Sequence, residues 1–270
     1  MTALAPPSRA PQAEVVVARS RAEAVAFFGD GAGITVIGGG TVVTPLLTHG
    51  VIWPGRVLML RAAGVDNGLG HIVDGDPMEI GGAVTLAALA RVAPAPLAGA
   101  ARIPDYEIRG QATVGGNIMI GGDLQAALVV LGARVRSAGA GGERAQPVED
   151  FIAAPWGRLV LALEVPRPVA GAFLQQRRRH SHTHPVLSVA VARREDGVHV
   201  AVGGRAERAP AVACRSVERA LALGAGPREA AAAVLEDVHP EDDPLASAWY
   251  RARALPVLVA RALEQLEEAR

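Results

Sequence analysis

The chain has 270 residues, of which 50% are apolar, so it is long enough for one large domain or roughly two to three small ones. Basic and acidic residues both number 27, and this balance argues against a nucleic-acid or anionic-lipid partner. Cys214 is the only cysteine, which excludes an internal disulfide and a cysteine-ligated iron–sulfur cluster within this chain. A chain that cannot form an internal disulfide fits a reducing compartment, which predicts a cytoplasmic protein. The lack of a run of about 18 uninterrupted apolar residues predicts that no segment spans a membrane.

The N-terminal part predicts a flexible tail followed by a small α/β unit. Residues 1–12 are rich in proline and alanine and are expected to form the tail. In residues 13–65, the run Ser20-Arg21-Ala22-Glu23 has capping-box spacing and predicts the start of a helix. A strand at the edge of a sheet is predicted at Glu14–Ala18. Two further strands are predicted at Ile34–Ile37 and Val57–Leu60.

Residues 66–166 form the second predicted unit. Short strands such as Met78–Ile80 alternate with small-residue turns and short helices, one of them at Thr85–Arg91. The segment Asp123–Leu131 has apolar residues at i, i+3, i+4 and i+7, which predicts a helix. The low-complexity stretch Ala138–Gln146 indicates a hairpin tip.

The C-terminal unit, residues 173–270, is predicted to follow a proline-rich linker at Pro166–Ala172. The apolar runs Val186–Ala192 and Val198–Val202 flank Asp196-Gly197, which is a strong hairpin signal. We predict a three-stranded antiparallel sheet with helices on one face, and an α+β fold for the chain as a whole. These helices are predicted at Ala211–Leu223, Arg228–Leu235 and Leu245–Glu267.

Two glycine segments carry the clearest chemical signal, Gly38-Gly39-Gly40-Thr41 and Thr113-Val114-Gly115-Gly116-Asn117. Glycine lets the backbone approach a ligand closely and adopt positive φ, so that successive amides can converge on an anion. Thr41, Thr113 and Asn117 add neutral donors. Neither segment has the lysine of a Walker-type phosphate loop, and the first lacks Rossmann spacing. The residues alone leave open whether the two segments bind phosphates or are only tight turns.

Longer motifs around these segments resemble the FAD-binding medium subunit of carbon-monoxide dehydrogenase and the equivalent domain of xanthine dehydrogenase. The stretch Gly38–Pro45 is similar to that family's first loop, A-G-G-T/H-S/D-L-x-P, apart from Gly38 and Val42. The stretch Ile108–Asn117 is similar to I-R-N-x-A-T-I/V-G-G-N, and Gly122–Ala133 to G-D-L-x-x-A-L-x-x-L-x-A. The chain is therefore identified as a member of the molybdenum hydroxylase family.

The resemblance implies a fold and a cofactor site. The fold would be a two-part flavin-binding domain of the vanillyl-alcohol-oxidase (PCMH-like) type over residues 13–65 and 66–166, followed by the C-terminal α+β domain. The cofactor would be FAD, with the two glycine segments on its pyrophosphate and Asp123 near a ribose, where a carboxylate accepts hydroxyl hydrogen bonds. The implied cofactor residues are Gly38, Gly39, Gly40, Thr41, Thr113, Gly115, Gly116, Asn117 and Asp123.

The resemblance also implies an electron-transfer role in a heteromeric molybdopterin-dependent hydroxylase. A large molybdopterin-binding subunit would oxidise the substrate, and a small [2Fe-2S] subunit would pass the electrons to FAD and on to an external acceptor. We expect no catalytic residue in this chain, because no nucleophile–base–orienter triad is evident. We also expect no metal site, since arginines adjoin the alternating His180, His182 and His184.

Two other functions stay open at this stage. One is a free-standing flavoprotein oxidoreductase of the same fold, which would need its own substrate pocket and acid/base residue. The other is a non-catalytic scaffold or assembly protein that has lost FAD. The second is motivated by the stretch 118–122, which is shorter than the family pattern, and by Val42, which replaces a polar residue.

Overall fold

A parallel three-stranded sheet forms the N-terminal part of the computed structural model, which describes residues 12–179 and 184–269. Its strand order is β1-β3-β2, so the first strand lies at an edge, as predicted. The Ser20 hydroxyl accepts a hydrogen bond from the Glu23 amide at 3.1 Å and so caps the first helix. This cap confirms the predicted helix start. The elements are β1 (Glu14–Val17), α1 (Arg21–Phe28), β2 (Ile34–Ile37), α2 (Val43–Thr48) and β3 (Arg56–Met59).

A five-stranded antiparallel sheet with several short helices follows, in strand order β4-β5-β8-β6-β7. The hairpin β6–β7 turns inside the predicted tip. Helix α7 is buried along its whole length because it also packs against the C-terminal sheet. The elements are β4 (Ile72–Val73), β5 (Met78–Gly81), α3 (Leu86–Val92), α4 (Ala95–Ala101), α5 (Tyr106–Gln111), α6 (Val114–Met119), α7 (Leu124–Val130), β6 (Arg134–Gly139), β7 (Arg144–Pro147), α8 (Val148–Ala153) and β8 (Arg158–Val165).

The C-terminal part is an antiparallel sheet of order β12-β11-β10-β9, covered by helices. Strand β10 pairs with β11 across the predicted hairpin, and Arg194 lies opposite Gly197. The elements are β9 (Ala170–Gln176), β10 (Leu187–Arg194), β11 (Gly197–Gly203), β12 (Val212–Ala213), α9 (Arg215–Ala222), α10 (Pro227–Ala231), α11 (Val234–Asp237) and α12 (Ala248–Glu268).

Two details of this sheet differ from the prediction. The sheet has four strands rather than three, because Val212 and Ala213 pair with β11. The helix predicted at Ala211–Leu223 therefore begins only at Arg215, after the Cys214 amide has donated to Val200 O at 2.8 Å. Strand β9 starts inside the predicted linker, since its pairing with β10 already includes Ala170.

Helix α12 is fastened to the C-terminal sheet by a buried ion pair. The Arg251 side chain is 1% exposed, and its Nη2 donates to Asp243 Oδ2 at 2.6 Å. Its remaining donors reach the carbonyls of Val186, Glu241 and Ala246. Burial alone would raise the pKa of Asp243, but the Arg251 hydrogen bond and two backbone amides hold that pKa below its ordinary value. This pair fixes the segments that border the candidate site.

Candidate cofactor site

The two glycine segments border one cavity of about 580 Å³ between the N-terminal sheet and the five-stranded sheet. All the predicted cofactor residues except Asp123 line it. Asp123 lines an adjoining, smaller cavity of about 70 Å³. Val42, Ile120 and His184 line both cavities, so the two spaces meet at these residues. The fold therefore brings together the residues that the sequence motifs had singled out.

The first glycine segment is a true loop with unused donors. It leaves β2 after Ile37, and Gly40 takes φ +75°, a conformation that favours glycine. The Gly40 carbonyl then accepts the Thr44 amide at 2.9 Å at the start of α2. Within the described part of the chain, the amides of Gly39, Gly40 and Thr41 donate to no other group. Unpaired amides in one loop beside a cavity are suited to an anion.

The second glycine segment is the capped start of a helix and not a tight turn. Thr113 caps α6, and its Oγ1 accepts the Gly116 amide at 3.2 Å. The amides at positions 114 and 115 donate to the carbonyls of Val84 and Gly82, at 2.9 and 2.8 Å. The amide at position 117 donates to Thr113 O at 2.8 Å. The backbone donors of this segment are thus used inside the protein, and the segment contributes a wall rather than a set of free amides.

The glycines of both segments allow close packing of backbone against backbone. A Cβ on Gly39 would lie 2.0 Å from Gln111 O, far inside van der Waals contact. A Cβ on Gly115 would lie 2.9 Å from Gly82 O. These side-chain directions therefore face protein atoms and not the cavity. Glycine is needed here because the walls of the cavity pack directly against each other.

The short stretch 118–122 is a tight connection between α6 and α7. The Gly122 amide donates to Asn117 O at 2.9 Å, and Gly121 takes φ +71°. The Asn117 side chain accepts the Leu124 amide at 3.1 Å through Oδ1. Asn117 therefore holds the start of α7 and fixes the position of Asp123. The shortened stretch keeps the carboxylate beside the glycine segments.

Asp123 has a buried oxygen with an open acceptor site. Among the described residues, no group donates a hydrogen bond to its Oδ2. His184 Nδ1 lies 3.5 Å from this oxygen, and the interaction with Asp123 raises the pKa of His184 above its ordinary value. A buried carboxylate oxygen that accepts no hydrogen bond is unfavourable in a folded protein, and the His184 contact at 3.5 Å leaves this oxygen able to accept one from a ligand hydroxyl.

Sequence reasoning missed two residues at the Phe28 side of the cavity, Trp156 and Arg158. The Arg158 side chain is buried, and its guanidinium donates to Ser137 and to the carbonyls of Ala140 and Gly142. Burial lowers the pKa of this guanidinium, and repulsion from a neighbouring arginine adds to the effect. No local sequence pattern marks either residue.

The remaining sequence features form no second site among the described residues. His180 and His182 lie outside the described residues, while His184 faces Asp123. In residues 12–179 and 184–269, no three His, Cys, Asp or Glu side chains are grouped to hold a metal ion. Cys214 is buried, and burial raises the pKa of its thiol. No helix in the described part is long and apolar enough to cross a membrane.

Comparison with protein families identifies the chain. The profile of the FAD-binding domain in molybdopterin dehydrogenases matches residues 11–168, which is more than half of the sequence. The chain belongs to this family, and FAD is its cofactor. The predicted family and cofactor are thereby confirmed. No curated protein matches the chain.

Solved structures confirm the fold over the whole chain. A carbon monoxide dehydrogenase from Hydrogenophaga pseudoflava, lacking the Mo-pyranopterin moiety of the molybdenum cofactor, aligns with a TM-score of 0.83 and 23% identity, covering 98% of this chain and 99% of that one. Reconstituted CO dehydrogenase from Oligotropha carboxidovorans gives a TM-score of 0.81 and 23% identity, covering 99% and 100%. Quinoline 2-oxidoreductase from Pseudomonas putida 86 gives 0.78 and 19%, covering 96% and 98%.

Proposed function

We propose that this chain is the electron-transfer subunit of a heteromeric molybdopterin-dependent hydroxylase, with FAD bound in the cavity between its glycine segments. One observation carries the location of the site. Unpaired loop amides border the same cavity system in which a buried carboxylate oxygen lacks a hydrogen-bond donor among the described residues. Bound FAD supplies the capacity to accept electrons from one partner and to release them to another.

The two glycine segments have different roles in the proposed binding of FAD. The amides of Gly39, Gly40 and Thr41 donate to the pyrophosphate, because they have no acceptor in the described protein. The segment 113–117 forms an adjoining part of the wall, and its capped helix keeps that wall rigid. Asp123 accepts a hydrogen bond from a sugar hydroxyl through its open oxygen.

The partners follow from what this chain lacks and from the proteins that share its fold. Its one cysteine is buried, so cysteine-ligated iron–sulfur clusters belong to another chain. We propose a small [2Fe-2S] subunit as the electron donor and a large molybdopterin-binding subunit as the site of substrate oxidation. Carbon monoxide dehydrogenase, a molybdenum-cofactor enzyme that has this fold in common with the chain, supports such a complex.

Co-purification tests the proposed role. The tagged chain is co-expressed with the products of neighbouring genes, and the complex is analysed for molybdenum, iron and flavin. We expect the chain to carry FAD and to purify with a molybdenum-containing and an iron-containing subunit. Anaerobic mixing with the reduced iron-containing subunit is expected to bleach the flavin absorption. A chain that binds FAD but purifies alone, and is reduced directly by a substrate, would instead support the free-standing oxidoreductase.

A separate experiment tests the location of the site. The double variant Gly39→Val/Gly115→Val is expected to lose FAD, because both new side chains meet backbone atoms of the cavity walls. Gly110→Ala is the matched control, since a Cβ at Gly110 meets nothing within 4 Å. Retention of FAD by the double variant at wild-type affinity would refute the assigned site.

A further inference from the structure

Trp156 is an exposed aromatic side chain at the rim of the proposed cofactor cavity. It lies in the turn between α8 and β8, lines the same cavity as the first glycine loop, and is 78% exposed. Trp53 and Trp249 are exposed as well, but neither lines that cavity. A large exposed indole at the mouth of a cavity is a feature of ligand-binding surfaces.

The turn that carries Trp156 is held firmly. Gly157 takes φ +71°, and a Cβ there would lie 3.7 Å from Asp30 O, so the turn lies beside the loop after α1. The next residue, Arg158, is anchored by four hydrogen bonds to the β6–β7 hairpin. The indole therefore has a fixed base, which reduces the entropy lost when a ligand binds against it.

Trp156 lines a part of the cavity away from its junction with the smaller cavity. Asp123 and His184 lie where the large cavity meets the small one, and the glycine segments line the large cavity. Trp156 lies on a different side, with Phe28 and Gly31 of the N-terminal unit. One cavity of about 580 Å³ therefore has both the first glycine loop and Trp156 in its lining.

We propose that Trp156 stacks on one of the two planar rings of the bound dinucleotide, adenine or isoalloxazine, and so acts as a positioning residue for FAD. This proposal rests on the proposed site. Stacking suits this position because an indole presents a flat π-face that accepts any planar heterocycle, without a specific hydrogen-bond pattern. The contact also covers the exposed face of the indole.

Affinity measurements on variants test the proposal. Apoprotein is titrated with FAD by calorimetry, for the wild type and for Trp156→Ala, Trp156→Phe and Trp249→Ala. We expect Trp156→Ala to weaken FAD binding about tenfold, as loss of one base-stacking contact does. Trp156→Phe keeps a flat face and is expected to remain within about threefold of the wild type. Trp249→Ala, the control for loss of an exposed indole, is expected to bind as the wild type does.

Competition with fragments identifies the ring. If Trp156→Ala weakens ADP more than FMN, adenine stacks on Trp156; if it weakens FMN more, isoalloxazine does. Unchanged FAD affinity in Trp156→Ala, with thermal unfolding like the wild type, would overturn the stacking proposal. That result differs from failure of the site itself, which would appear as unchanged FAD affinity in Gly39→Val/Gly115→Val.

Discussion

The two glycine segments look alike in sequence, yet they do different work in the structure. In residues 38–41 the chain forms a loop whose amides at 39–41 find no acceptor in the described part of the protein. In residues 113–117 the chain forms a capped helical turn, and the amides from 114 to 117 are all bonded within the protein. The first segment offers donors to a ligand, whereas the second gives the site a rigid wall.

This difference teaches how a glycine motif is to be interpreted. Glycine marks a place where another group approaches the backbone closely, but it does not say which group. At Gly39 the approaching group is the carbonyl oxygen of Gln111, and at Gly115 it is the carbonyl oxygen of Gly82. In the proposed binding mode, the ligand would accept hydrogen bonds from the backbone amides of Gly39, Gly40 and Thr41, which this packing leaves unpaired in the described structure.

The largest effect is expected from Gly39→Val. Its Cβ would lie 2.0 Å from Gln111 O and 2.6 Å from Gln111 C, both backbone atoms that cannot swing away. We expect the free energy of unfolding to fall by about 3 kcal/mol, the upper end of ordinary overpacking, with loss of FAD. Urea unfolding and flavin absorption of the purified variant measure the two effects.

Two milder substitutions calibrate this result. Gly116→Ala would place its Cβ 3.0 Å from Thr113 Oγ1 alone, so a smaller loss than for Gly39→Val is expected. Gly110→Ala in α5 meets no atom within 4 Å and is expected to stabilise the protein by about 0.5–1 kcal/mol through helix propensity. Equal stability of Gly39→Val and Gly110→Ala would show that Gly39 does not pack against Gln111 as described.

Asn117→Ala is expected to have the next largest effect. It removes the acceptor of the Leu124 amide, and Leu124 is fully buried. A buried amide without an acceptor is expected to lower the free energy of unfolding by about 1–3 kcal/mol. Amide hydrogen exchange at Leu124 should become faster in Asn117→Ala, while Asn117→Asp keeps an acceptor oxygen and should retain more protection.

The two threonines give a direct contrast between the segments. Thr113→Ala removes the helix cap and is expected to destabilise the protein by about 1 kcal/mol, and Thr113→Ser should restore that loss. Thr41→Ala removes a hydroxyl that caps no helix in the described structure, so its stability should change by less than about 0.5 kcal/mol. We expect Thr41→Ala to act on FAD affinity instead. The reverse pattern would contradict the division between the segments.

Much of the fold was predictable from the sequence because the local signals agreed with the tertiary structure. The Ser20 cap, the strand Ile34–Ile37 and the hairpin at Asp196-Gly197 are all specified by a few neighbouring residues. The fold also brings the glycines of both motifs to the lining of one cavity. At these positions the local sequence preferences agree with the tertiary structure.

The remaining features depend on contacts between distant parts of the chain. Two consecutive glycines lower helix propensity, and the helix at 114–119 forms because Val84 and Gly82 accept its first amides. Trp156 has no partner motif in sequence, since its importance depends on which walls the fold places beside it. The open oxygen of Asp123 is likewise a product of burial, which no spacing rule reveals.

The smallest expected effect tests whether the second glycine segment, through Asn117, positions Asp123 beside His184. Asp123 raises the pKa of His184 above its ordinary value of 6.5, so the pair's contribution to stability is complete below that value and is lost as the pH rises through the raised pKa. In Asp123→Asn the imidazole should titrate at lower pH, which NMR of its ring protons measures. Asn117→Ala should shift the titration in the same direction but less, because it loosens α7 without removing the carboxylate. Identical His184 titrations in the wild type, Asp123→Asn and Asn117→Ala would mean that Asp123 and His184 do not pair. The second glycine segment would then not affect His184 through Asn117.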